Sequence, residues 1–206
     1  MKRKTKWFMF FLGLIILTLG GRLTLLAHIG TGGSDAFCIG LAKTLGGSFG
    51  LWIDIVSILV ILLGTYIRRS SIQWDIVLTS ILFGVLYDVW GIILFNRLVS
   101  PQTELMRGIL FTIGILVGPL GASIYILSEI STGCIDYLML AIRDRFHISL
   151  QASRFLIEGS FVVGAYIVGG PVGMGTILIM LLYGVILQFY YKGIINKLKS
   201  KRKRYV

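Results

Sequence analysis

The chain has 206 residues, 56% of them hydrophobic and only 14% charged, with two cysteines and a formal net charge of +11. So little charge cannot cover the core of a soluble domain this size, which excludes an ordinary soluble protein and points to an integral membrane one. The basic excess sits at the ends, in Lys2, Arg3, Lys4 and Lys6 and again in Lys192, Lys197, Lys199, Lys201, Arg202, Lys203 and Arg204. Charges that flank apolar spans follow the positive-inside bias and attract anionic headgroups; this distribution argues against a nucleic-acid surface.

In chain order, the N-terminus has the outline of a signal peptide, with basic residues before the apolar run Trp7 to Leu19. The run continues past Gly20 without a small-residue cleavage site, so an uncleaved first span, Trp7–Ile29, is expected. A polar stretch, Thr31-Gly32-Gly33-Ser34-Asp35, leads into a short helical segment, Ala36–Leu45. The second span is Phe49–Ile67, the third Trp74–Phe95 and the fourth Gly108–Leu127. Thr132-Gly133-Cys134-Ile135-Asp136 then precedes a second short segment, Tyr137–Phe146. The fifth span is Leu150–Val168 and the sixth Met174–Tyr191. The two short segments do not reach the roughly 20 residues that a crossing needs.

Lys and Arg set the orientation. With the N-terminus inside, the cytoplasmic segments hold the N-terminal cluster, Arg68 with Arg69, Arg143 with Arg145, and the tail; the outer segments hold only Lys43, Arg97 and Arg107. Both termini are therefore expected in the cytoplasm of a multi-pass protein.

The motif Thr-Gly-x-x-Asp occurs twice, 101 residues apart, and the register extends to Gly13 and Gly114, Gly20 and Gly121, Ile29 and Ile130, and Ser48 and Ser149. Three spans per half is an odd number, so the second copy enters the membrane from the opposite side. The expected fold is all-α: a polytopic bundle of six spans in two inverted three-span repeats, each with a short re-entrant or interfacial helix. Residues 1–206 form one membrane domain, with repeat 1 at 7–97, repeat 2 at 107–192 and a basic tail at 193–206. Thr31–Asp35 then lies toward the outer face and Thr132–Asp136 toward the inner face. On the same topology Cys38 and Cys134 lie toward opposite faces, too far apart to pair.

Within each motif the glycine loosens the backbone, and Asp35 and Asp136, with Ser34, are suited to cap the helix that follows. Such a junction is either a capped turn at the membrane edge or half of a binding site assembled from both sides. Charges inside spans are costly and mark function or structural ion pairs. Arg22, Asp54 and Asp88 lie in the first three spans, and Arg22 is the natural partner for either acid. Arg154 and Glu158 share one face of the fifth span. An offset of about 104 aligns Asp54 with Glu158. His28 and Glu129 are weaker candidates just before the motifs. The candidate solute contacts are Thr31, Gly32, Asp35, Thr132, Gly133, Asp136, Arg154 and Glu158.

The turn Gly169-Gly170-Pro171-Val172-Gly173-Met174-Gly175-Thr176 lacks the Lys-Ser/Thr ending of a phosphate-binding loop and suits a tight hairpin. There is no Ser-His-Asp arrangement, HExxH motif or Cys/His cluster, so no enzymatic activity, cofactor or metal is expected.

These residues resemble the YczE/YitT-like group of small bacterial integral membrane proteins along nearly the whole chain. The likeness rests on Gly20, Gly30 to Asp35, Thr132 to Asp136, Arg154 with Glu158, and Gly169-Gly170 through Gly173, Gly175 and Thr176. Such proteins often carry Pro-Trp before the first aspartate, where this chain has Gly33-Ser34. The resemblance implies a polytopic cell-membrane protein and little about its biochemistry. The function expected from the residues is a transporter or permease for a small solute, proton-driven in the absence of a nucleotide site. One alternative is a substrate-binding subunit like those of energy-coupling-factor transporters. Another is a non-transporting regulatory or accessory membrane protein. The expected partners are the lipid bilayer and a small solute, with a homodimer or a partner subunit left open and no nucleic acid.

Overall fold

Apolar runs broken by short polar stretches become helices broken by turns. A computed structural model describes residues 3–97 and 103–203. Among them lie eight helices: α1 (Arg3–Leu26), α2 (Gly33–Leu45), α3 (Phe49–Arg68), α4 (Trp74–Arg97), α5 (Glu104–Leu127), α6 (Cys134–Phe146), α7 (Leu150–Ile167) and α8 (Met174–Lys203). Five of them, α1, α3, α4, α5 and α8, are long and apolar enough to cross a membrane by length and composition. The sixth expected span, α7, is not among the five. Its 18 residues extend about 27 Å, and Gln151, Arg154 and Glu158 dilute it. α8 runs on through the expected basic tail to Lys203, as the helix propensity of lysine allows; residues 204–206 of that tail lie outside the described residues.

The helix boundaries repeat at the motif's own spacing. Leu26 and Leu127 close α1 and α5, and α2 and α6 match at both ends. Ser48 caps α3 by accepting from the Leu51 amide, and Ser149 caps α7 by accepting from the Ala152 amide, each at 3.1 Å. His28 and Glu129 both take the left-handed conformation, at φ of 55° and 53°. From α1 to the start of α7 the register therefore holds without an insertion, and α8 begins 100 residues after α4. This register overturns the alignment of Asp54 with Glu158 at an offset of 104: Ser57 falls opposite Glu158, and Asp54 opposite Phe155.

α1 and α5 form the central contact. Gly13 faces Gly121 and Tyr125, whereas Gly20 faces Gly118 and Gly114, so α1 and α5 run antiparallel. A Cβ at Gly13, Gly20 or Gly121 would meet backbone atoms of the facing helix, the close approach that small residues permit in bilayers. The short helices pack across the repeat boundary, α2 on α7 and α6 on α3. Gly33 lies against Glu158 and Gly40 against Gly170, while Cys134 meets Ser57 and Tyr137 meets Gly64, so both pairs run parallel. α4 packs on α1 and α3, and α8 packs on α5. The close contact of α3 with α4 has no counterpart of similar extent between α7 and α8 among the described residues.

Polar contacts tie the helix ends into two faces. On one, Lys6 pairs with Glu129 at 2.5 Å and Arg68 with Asp144 at 3.5 Å. On the other, the Gly175 amide donates to the Ile29 carbonyl at 3.1 Å, and Ser48 donates to Asp88 at 2.5 Å.

The Lys6 ammonium holds the exposed Glu129 carboxyl below the usual glutamate range. A carboxyl lowered in the folded state adds stability above its unfolded pKa and loses it as pH falls through the folded pKa. Glu129→Gln is therefore expected to lower the melting temperature slightly at neutral pH and to flatten its fall in acid. Exposed pairs are weak and salt-screened, so thermal melts at low salt, neutral against acidic, are the check. Equal acid sensitivity in both proteins would remove Glu129 from the account.

Candidate functional site

Both short helices begin inside the bundle. Gly32 and Gly133 occupy their N-cap positions, and neither helix has a side-chain capping bond. This corrects the expectation that Asp35, Asp136 and Ser34 cap them. The aspartates instead sit at the third helical position, where a carboxylate complements the helix dipole. Their Oδ2 atoms lie over the cap glycines, so that a Cβ on Gly32 or Gly133 would come within 3.9 or 3.5 Å.

The two N-termini converge on one cavity of about 180 Å³. α2 contributes Ser34, Asp35 and Cys38, and α6 contributes Gly133, Cys134, Ile135 and Asp136. The walls are mostly apolar: Leu14 and Leu17 of α1, Ile53, Val56 and Val60 of α3, Phe83 of α4 and Phe161 of α7. Ser57, Thr79, Ser80 and Tyr125 add hydroxyls. The two motifs, expected toward opposite faces, thus meet in the middle, because each short helix starts beside the middle of the other half's third helix. The cysteines meet there too, correcting their expected separation. Both thiols are free, and Cys134 donates to Ser57 at 3.4 Å.

The electrostatics of the cavity are one-sided. Asp35 accepts a hydrogen bond from the buried Tyr87 hydroxyl at 3.1 Å. Thr79 and Ser80 donate to carbonyls of their own helix, at 2.7 and 3.0 Å, and offer the cavity only lone pairs. No Lys, Arg or His lines it among the described residues. Arg154 is exposed and acts on Asp136 and Glu158 from outside the lining. Glu158 lies against Gly33, behind the wall. Tyr183 of α8 has Asp35, Asp136, Arg154 and Glu158 as charged neighbours.

Of the expected solute contacts, the cavity gathers Asp35, Gly133 and Asp136. Thr31 is buried with its hydroxyl turned to the Gly32 carbonyl, Thr132 is exposed, and Gly32, Arg154 and Glu158 stand outside the lining. Arg22, Asp54 and Asp88 gather separately between α1, α3 and α4. Arg22 makes no ion pair with either acid, against expectation, since its guanidinium lies beside Gly91 and over the Phe49 ring at 6.0 Å. Asp88 is taken up by the Ser48 hydroxyl and the Gly50 amide at 2.5 and 2.9 Å. Arg22 Nε and Asp54 Oδ1 are buried without hydrogen-bond partners.

Sequence reasoning missed Ser57, Thr79, Ser80, Tyr87, Tyr125 and both cysteines. A signal existed for some of them: Thr79-Ser80 interrupts an apolar run, and Ser57 stands 101 residues before Glu158. No three His, Cys, Asp or Glu residues are arranged to hold a metal ion among the described residues.

Comparison with known proteins adds kinship. The model of a family of unknown function, DUF6198, matches residues 4–192. The chain is 30% identical over 199 residues to the uncharacterized protein YyaS of Bacillus subtilis, covering 97% of this chain and 98% of that one. It is also 30% identical to the uncharacterized membrane protein YczE of the same organism, over 89% of this chain and 84% of that one. An uncharacterized protein of Haemophilus influenzae is 33% identical over 52% of this chain and 51% of its own. No solved structure matches.

Proposed function

This chain belongs to the family of unknown function DUF6198, and we propose that it is a multi-pass cell-membrane transporter or permease for a small solute, with no enzymatic step. Counting α7 as a crossing gives six, and the antiparallel packing of α1 on α5 is what two inverted halves require. The face that carries Lys6, Arg68, Arg143 and Arg145 is the cytoplasmic one by the positive-inside rule, and with it both termini. α2 and α6 are then re-entrant helices that dip from opposite faces and return.

The observation that carries this reading is the meeting of the two motif helices in one cavity at the centre of the bundle. Discontinuous helices ending at a mid-membrane site, at the interface of two repeats, suit access from either side. The carboxylates there could carry protons inward with or against the solute.

Purified protein in liposomes tests it. Under an imposed pH gradient, a panel of small metabolites should include at least one that the wild type accumulates. Asp35→Asn and Asp136→Asn should each slow that uptake about tenfold or more, the scale of one lost charged hydrogen bond. Folded protein that moves no solute would sink the proposal.

A further inference from the structure

The cavity carries a statement about its solute, which rests on the reading of that cavity as the transport site. Three observations bear on it.

The first is charge. The helices carry the carboxyls of Asp35, Asp54, Asp88, Asp136 and Glu158 at partly buried positions against one partly buried guanidinium, Arg22, since Arg154 is exposed. Such an excess of acid in a bilayer calls for protons or a cationic guest. At the cavity, Asp35 and Asp136 come from opposed helices and no basic side chain answers them. A helix N-terminus ordinarily favours an anion. Here each N-terminus already has a carboxylate in its first turn, which cancels that preference.

The second is an unsatisfied hydroxyl. Tyr125 is only 4% exposed, lines the cavity, and its Oη has no hydrogen-bond partner. Ser131 is near, but its Oγ turns to the Thr132 carbonyl at 3.2 Å. Asp136 and Cys134 line the same cavity as Tyr125. A buried hydroxyl without a partner is costly, and a guest that donates to its lone pairs removes part of that cost.

The third is size and wall chemistry. The cavity measures about 180 Å³, a little over the roughly 150 Å³ of a cavity that takes up benzene. Its walls are mostly Leu, Ile, Val and Phe side chains. A bare metal ion would need a ligand cluster that the described residues do not form, and a polyol or sugar would leave its hydroxyls against apolar walls.

We infer that this cavity takes a small organic cation, a protonated amine on a short apolar body, with its ammonium between Asp35 and Asp136 and one N–H donated to Tyr125 Oη. The apolar body lies against Phe83, Val56 and Val60.

Isobutylamine, isobutyrate and isobutanol share a body and differ in charge, so they serve as probes. Calorimetric titration of the purified protein in detergent should show isobutylamine binding about tenfold or more tighter than either of the others. Asp35→Asn and Asp136→Asn should each weaken amine binding by a similar factor. Tyr125→Phe keeps the ring and its packing, and should weaken it about fivefold, which provides a test even if an Asn variant fails to fold. Equal binding of the three probes, or amine binding unchanged in Tyr125→Phe and in the Asn variants that fold, would overturn the inference. Liposome flux separates it from the transport proposal. Amine binding without flux supports the cation site and sinks transport, whereas flux of an anion without amine binding does the reverse.

Discussion

Gly20→Val is expected to abolish folding. In detergent extracts the variant should elute as aggregate in size-exclusion chromatography, where the wild type gives a single symmetric peak. A Cβ at Gly20 would run into the backbone N and Cα of Gly118 and lie 3.0 Å from the Gly114 carbonyl oxygen. Backbone atoms cannot rotate away, so α1 and α5 would have to separate along their whole crossing. In lipid the contact is held by close packing and not by exclusion of water, so separation forfeits most of it. The cost should exceed the roughly 1–3 kcal/mol of ordinary core overpacking. Gly20→Ala adds only the Cβ and should already lower the melting temperature. Gly159→Val and Gly184→Val are the controls, because a Cβ at either position meets nothing within 4 Å. A folded Gly20→Val protein would show that the α1–α5 crossing is not the centre of the bundle.

That crossing was legible in the sequence as four glycines in one register, Gly13 with Gly114 and Gly20 with Gly121. The short helices were legible as well, because each follows a Thr-Gly-x-x-Asp string and stops too soon to cross. What was not legible is which helix faces look inward. In a soluble protein burial shows as apolar against polar, but in a bilayer both the lipid side and the bundle interior are apolar. Nothing in composition therefore separated Tyr125 or Ser57, which line the cavity, from lipid-facing neighbours. The convergence of the two motifs was hidden for a related reason: topology gives the face a segment leaves from, not the depth to which it returns. Matching acid with acid put Glu158 opposite Asp54, although the helix-capping serines, Ser48 and Ser149, already carried the true register.

The same register makes one irregularity informative, and it yields the second large effect. α4 lies so close to α3 that a Cβ on Gly84 would come within 2.7 Å of the Gly50 carbonyl oxygen. In the other half, where α8 begins 100 residues after α4, Gly184 stands opposite Gly84 and has nothing near it. The residue opposite Gly50 is Gln151. One half is thus closed where the other is open, which the transport proposal reads as a single state of a machine whose halves exchange conformations. On the transport proposal α8 closes on α7 when α4 leaves α3. A Gln151→Cys and Gly184→Cys pair, built on Cys38→Ala and Cys134→Ser, should then be bridged within one chain by a short bifunctional thiol reagent. A cleavable bridge should reduce liposome flux to background, and its reduction should restore it. Bridged protein that still transports at the unbridged rate would remove α7 and α8 from the cycle. A bridge formed only between two chains would instead place a second copy in the cleft and make the irregularity a dimer interface, since a cleft filled by a partner has no reason to close.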